Sequence, residues 1–431
     1  MTIATFPCKR SMSFPSAPAW MDHSGGVDRG KSKGRVDWLR SRVEMIALAR
    51  RKQACIGDAL RTWRSLDTAI ARARACDEQQ GRVSMRSAMK TAIVVMAGVL
   101  VAGPAIAQGR WTSLKPFPQG EEEVYGTTAG GKLYVLGGLG IFPGWEPKQM
   151  LWSFDPATNE WTRLPNIPEG IHHPGFAAVG GKLYSVGGFT IARPATGLPA
   201  WVPSKSLWIY DIHESSWSKG PDVPTARGAL TATADGTRIY AIGGAKNPSY
   251  STAELRPNVP VENVAINEVF DTATGSWSSA APMLTARNHH GASLIDGKIY
   301  VVGGRIGSTF IIGLSNNVST NEVYDIAKNT WSSVLGMPTP RSGIGTAVLN
   351  GKMHVLGGEA YLNDLVGTYR THEAFDPKTN AWQRMPPMPT PRHGLAVGEI
   401  AGKMYAVSGS NVAGGGGPHE GLNVNEVYDP N

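Results

Sequence analysis

The chain has 431 residues and a formal net charge of +8, yet residues 1–84 hold 16 basic and 8 acidic side chains while residues 108–431 hold 24 and 26. The larger part is therefore slightly acidic, which argues against a phosphate-binding surface and against nucleic acid as a partner. All three cysteines, Cys8, Cys55 and Cys76, precede residue 85, so the rest has no disulfide framework and no thiolate metal site, and it tolerates an oxidising compartment.

Residues 1–84 open with a Gly/Ser/Pro-rich stretch and continue into a basic segment, Trp38–Ala75, of weak helical periodicity. A helix with no partner core is marginal, so this extension is expected to be helical or disordered. Residues 85–108 read MRSAMKTAIVVMAGVLVAGPAIAQ. Arg86 and Lys90 form a positive front, Ala92–Ala102 is an apolar run, and Ala105-Ile106-Ala107 is a small-x-small cleavage site. That is the layout of a secretory signal over 85–107. The run is short of the roughly 20 residues of a membrane span, so no stable span is expected after cleavage; an uncleaved anchor is the alternative. A signal at this position implies a start at Met85 or Met89, with 1–84 a mis-assigned extension. The alternative is a cytoplasmic segment ahead of a single anchor. The exported domain is expected to cover 108–431 and to be periplasmic or secreted.

From residue 111 the chain repeats itself. Gly-Gly pairs start at 137, 187, 243, 303 and 357, with Ser408-Gly409 in a sixth slot, and tryptophans stand at 111, 161, 217, 277, 331 and 382. Each tryptophan precedes its pair by 26 residues, while the distance from pair to next tryptophan varies from 24 to 34. The unit is a fixed block plus one elastic loop, and a period of 50–60 residues with these marks means a propeller array. Runs such as KLYVLGG and KIYVVGG read as short strands, each preceded by another apolar run. After the loop comes an aromatic-Asp pair, and in five copies Trp follows that Asp by six residues across a polar turn. Each unit thus holds four antiparallel strands. The last copy ends at NEVYDPN without its Trp strand, whereas Trp111 has no unit before it. The strand around Trp111 is expected to complete the last blade and close the ring.

Gly-Gly, aromatic-Asp, six residues, Trp resembles the kelch repeat, and the resemblance covers essentially all of 110–431. It implies an all-β, six-bladed β-propeller, which is expected to be a monomer. Kelch propellers usually bind through the face that carries the elastic loops, here Leu139–Gln149, Phe189–Lys205, Ala245–Ala265, Arg305–Thr320, Glu359–Thr371 and Asn411–Val424. Long loops on a rigid scaffold are where recognition sits, and Trp145, Trp201, Tyr250, Phe310 and Tyr361 place aromatics there.

Ten residues after each Trp stand Glu121, Ile171, Arg227, Arg287, Arg341 and Arg392; two residues before each following aromatic-Asp aromatic stand Trp152, Trp208, Glu268, Glu322, Glu373 and Glu426. Units with Arg have Glu, and units without it have Trp. This pattern reads as the structural pairs Arg227–Glu268, Arg287–Glu322, Arg341–Glu373 and Arg392–Glu426, not as an anion-binding ring. The candidate ligand-binding residues are Glu121, His172, His173, His289, His290, His393 and His419, with Trp145, Trp201 and Tyr361. Neighbouring histidines point apart on a strand and no His-x-His or His-Glu-x-x-His spacing occurs, so polar lining of a wet channel is expected, with no metal and no cofactor.

Two enzyme families share the fold. Radical-copper oxidases resembling galactose oxidase need a Tyr–Cys cross-link, which a cysteine-free domain cannot make. Periplasmic sialic-acid mutarotases are similar in short stretches: GGEA with Glu359, YRTHEAFD with Arg370 and HEGL with Glu420. That resemblance implies Glu359 as acid/base and Arg370 as holder of the sugar carboxylate. The main expectation is a binding scaffold for a protein or a glycan; the mutarotase is the alternative.

Overall fold

A computed structural model describes residues 109–140, 146–192, 200–247, 262–309, 315–362, 365–414 and 421–431. The N-terminal extension and the signal-like segment lie outside the described residues. The described part contains six four-stranded antiparallel sheets and no helix. Blade 4 shows the plan: Gly291–Ile295, Lys298–Val302, Asn321–Asp325 and Thr330–Ser333 pair in chain order. The first strands of neighbouring blades pack side by side around a common axis, Glu122–Ala129 of blade 1 meeting Ala396–Ile400 of blade 6.

Blade 6 closes the ring. Its strands Ala396–Ile400, Lys403–Val407 and Asn425–Asp429 are joined by Arg110–Ser113, with Trp111 opposite Tyr428 and Ser113 opposite Glu426. The sixth slot carries Ser408 where other copies have glycine, and its hydroxyl stitches the same seam. Ser408 Oγ accepts from Glu121 N at 3.0 Å and lies 2.7 Å from Glu121 O and 2.8 Å from Leu422 O.

The core lies between blades. Phe154 and Val135 of blade 1 pack with Tyr405, Val407 and Val427 of blade 6, and comparable clusters fill the other seams. Each outer-strand tryptophan adds a directional bond across a seam. Trp161, Trp217, Trp277, Trp331, Trp382 and Trp111 donate Nε1 to the carbonyls of Lys115, Pro165, Pro221, Ala281, Leu335 and Pro386, at 2.7–3.1 Å. The paired glycines are forced by crowding at the axis. Gly357 has φ 60°, and a Cβ there would sit 2.3 Å from Arg392 O.

The elastic loops hold structure that the repeat pattern does not announce. Four of them build a two-stranded ladder: Phe189–Ala192 with Ala200–Pro203, Ala245–Lys246 with Glu262–Asn263, Arg305–Gly307 with Ser315–Asn317, and Glu359–Leu362 with Leu365–Thr368.

Candidate functional site

Entering each blade, the chain turns sharply beside the axis. The six turning residues are Glu123, His173, Ala229, His289, Gly343 and Gly394, all with φ between 53° and 61°. Backbone bonds link them in sequence: Ala229 N to His173 O, His289 N to Ala229 O, Gly343 N to His289 O, Gly394 N to Gly343 O and Val124 N to Gly394 O, at 2.8–3.1 Å. Left-handed backbone costs a side-chain-bearing residue about 1–3 kcal/mol, yet three of the six positions carry Glu or His. All three side chains face a cavity of about 160 Å³. It continues into a second space of about 300 Å³ past Phe176, Ala232 and Thr346 toward the far end of the axis.

Glu123 Oε2 lies 3.3 Å from His173 Nε2 and accepts from Tyr125 Oη at 3.2 Å. His173 and His172 touch through their Nδ1 atoms at 2.6 Å. The expectation that neighbouring histidines point apart fails here because the left-handed φ of His173 breaks strand alternation. His289 Nδ1 donates to Asn288 Oδ1 at 2.5 Å, and its Nε2 accepts from Arg305 Nη2 at 3.1 Å. The amide orientation is fixed, since Asn288 Nδ2 donates to Asn263 Oδ1 and to Gly307 O. Burial, reinforced by Arg305, holds His289 well below the ordinary histidine range; burial and His173 do the same to His172.

Beside this trio lies a buried charged chain. His393 Nδ1 sits 3.2 Å from Glu123 Oε1 and 3.6 Å from Glu359 Oε2, while its Nε2 donates to Val412 O at 2.8 Å. Arg305 pairs with Glu359 Oε1 and donates to Ser342 Oγ. Burial opposes a charged His393, but Glu359 and Glu123 outweigh it and lift the imidazole to about 10. Burial likewise opposes the Glu123 carboxylate, and His173 and His393 outweigh it, holding the group well below its usual range. The other half of the axis cap is apolar: Leu139, Phe189, Trp201, Ala229 and Ala245. Trp201 stacks on Phe189 and meets His172 edge-on, at 4.4 Å between ring centroids.

The sequence candidates divide accordingly. His172, His173, Trp201, His289, His393 and Glu359 converge on the cap. Glu121 is buried nearby, 3.0 Å from Gln119 Nε2 and 3.5 Å from Lys148 Nζ. His290 turns into blade 3, its Nε2 3.1 Å from Ile242 O, and burial with Arg287 lowers it to about 3. Arg370 is exposed and donates Nε to Met388 O at 2.9 Å, so the guanidinium on Glu359 is that of Arg305. Tyr361 lies on the strand Glu359–Leu362. Trp145, His419 and Glu420 lie outside the described residues. Arg227–Glu268, Arg287–Glu322, Arg341–Glu373 and Arg392–Glu426 are in contact within their blades at 2.5–2.7 Å. Sequence reasoning missed Glu123 and Arg305 as site residues. Glu123 carries a signal, because it occupies the repeat slot of His173 and His289, two residues after the Arg position. Arg305 carries none.

Kelch motif models match residues 126–168, 286–338 and 340–389, and a second Kelch motif model matches 172–224. Curated proteins similar to the chain include the kelch-like protein terF of Aspergillus terreus, 30% identical over 33% of this chain and 32% of that protein. Beta-scruin of Limulus polyphemus is 24% identical over 53% of this chain and 24% of its own length. Human kelch-like protein 23 is 25% identical over 53% of this chain and 36% of its own length. The chain thus spans about a quarter to just over a third of the length of these relatives.

Proposed function

From the premise that this chain belongs to the kelch-repeat β-propeller family, we propose that it is an exported interaction scaffold. It holds a protein, or a glycan, on the face that bears its long inter-strand loops. The observation that carries this reading is the wall of loop ladders on that face. Asn263 Nδ2 donates to Gly307 O at 3.0 Å and Asn317 Nδ2 to Glu359 O at 2.6 Å, so ladders of successive blades are tied together. A pre-ordered wall loses little entropy when a partner docks. Export rests on the signal-like layout of 85–107.

A mutarotase would need Glu359 and Arg370 to converge on one sugar. Glu359 is instead buried against Arg305 and His393, and Arg370 stands exposed. The scaffold reading is therefore preferred.

Lysines mark both faces, which makes the proposal testable by cross-linking the full chain to a co-purifying protein and mapping the links by mass spectrometry. Links are expected at Lys148, Lys205 and Lys246, on or beside the long loops. Links concentrated at Lys182, Lys298, Lys352 and Lys403, beside the opposite turns, would sink the proposal.

A further inference from the structure

We propose that Glu123, His173 and His289 bind one divalent transition-metal ion of the Zn2+ class at the loop-side end of the axial channel. One oxygen or nitrogen ligand atom from each lies within 4.8 Å of the others, and all three residues are buried. A carboxylate with two imidazoles is a donor set that Zn2+ and its neighbours prefer, whereas Mg2+ and Ca2+ favour oxygen alone.

The surroundings orient these side chains as outer partners orient metal ligands. The fixed amide of Asn288 places the His289 proton on Nδ1 and leaves a lone pair on Nε2. That lone pair already receives a cationic donor, Arg305 Nη2 at 3.1 Å. An incoming ion takes that position, and Arg305 keeps Glu359, Ser342 and the Thr309 carbonyl. For His173 the partner is His172. When His173 Nδ1 donates to His172 Nδ1 across their 2.6 Å contact, His173 Nε2 presents a lone pair 3.3 Å from Glu123 Oε2.

Placement supports the same conclusion. The three ligands occupy three of six equivalent ring positions, and the others carry Ala229, Gly343 and Gly394. Glu and His at left-handed φ persist only where the surroundings over-determine them, a condition that clusters at functional sites. The side chains face the channel cavity, which gives an ion an entry path and leaves coordination positions for water.

The full chain, stripped by chelator and titrated with Zn2+ in a calorimeter, is expected to bind one equivalent that a His173→Asn/His289→Asn double variant does not bind. Asparagine tolerates left-handed backbone, so the ring stays unstrained. Co2+ in place of Zn2+ is expected to give d–d absorption without a thiolate charge-transfer band, which separates this site from Cys8, Cys55 and Cys76. His172→Phe keeps the packing on Trp201 but removes the nitrogen that orients His173, and is expected to weaken Zn2+ about 10- to 100-fold. If the double variant loses its cooperative melt, the cobalt spectrum and His172→Phe decide. No bound equivalent, equal binding in the variants, or a thiolate-dominated spectrum would overturn the proposal.

Discussion

Arg341 is fully buried and uses four of its five N–H donors inside its own blade: Nε to Gly357 O, Nη1 to Thr339 O and Glu373 Oε2, and Nη2 to Val355 O. Thr339 Oγ1 donates to the second oxygen of Glu373 at 2.8 Å. The fork thus ties the blade's entry turn to its second and third strands. Removing one partner of such a pair strands a buried charge, whereas replacing both with apolar groups of similar volume does not. Arg341→Met is expected to cost about 3–5 kcal/mol in urea unfolding. Glu373→Gln should cost less, about 1–3 kcal/mol, because the guanidinium keeps three carbonyl acceptors. The double variant Arg341→Met/Glu373→Leu should recover most of the loss; a double variant as unstable as Arg341→Met would show that the fork does more than neutralise buried charge. The pairing of these residue types is visible in sequence because Arg and Glu vanish together from the first two units. The axial cluster is not, because Glu123, His289 with Arg305, and His393 come from three separate repeats and meet only once the ring closes.

Blade strands are legible because the second strands are apolar runs closed by glycine, the third and fourth carry an aromatic-Asp pair and a tryptophan at fixed spacing, and six copies average out local ambiguity. The ladders within the elastic loops are not. Ala245–Lys246, Glu262–Asn263 and Ser315–Asn317 have no period-2 apolar pattern, and the ladders they belong to start after the positive-φ glycine pairs at 243–244 and 303–304. The closing strand lies between these cases: its tryptophan marks it, but its partner is 317 residues away, at Tyr428. Trp111 packs on Tyr428 at 5.4 Å and on His372 at 5.8 Å, and donates to Pro386 O. Its side chain is only partly buried, so Trp111→Ala is expected to cost about 2–4 kcal/mol, below the value for a full core tryptophan. The loss should be local at first, because Arg110–Ser113 joins blade 6 without a covalent turn. Hydrogen exchange is expected to accelerate at Asn425–Asp429 in this variant more than at Leu207–Asp211 in Trp217→Ala. Equal acceleration at both places would show that the seam is no weaker than a covalently continuous blade.

In a closed ring every blade leans on both neighbours, so a weak seam sets the stability of the whole propeller. The seam between blades 5 and 6 carries a buried histidine pair. His354 Nδ1 lies 2.8 Å from His372 Nε2, and His372 meets Tyr428 at 4.9 Å and Trp111 at 5.8 Å between ring centroids. Burial lowers His354 to about 4, with Lys352 adding to the effect, and burial, His354 and Arg341 hold His372 well below its ordinary range. Both rings are therefore neutral in the folded protein at pH values where the unfolded chain, with histidines near 6.5, already binds protons. The unfolded state holds the excess protons below that pH, so stability falls as pH drops from about 6.5 toward 4 and is insensitive to these groups above about 7. For His354 alone the loss at pH 5 is on the order of 2 kcal/mol, a large fraction of the roughly 5–15 kcal/mol that holds a typical domain together. Urea unfolding of the full chain at pH 7, 6 and 5 is expected to show this decline. His354→Gln, which cannot titrate but can still bond to His372, is expected to shrink the decline by about that amount. An identical decline in the variant would place the acid sensitivity elsewhere in the ring, and the seam between blades 5 and 6 would not be where the propeller opens.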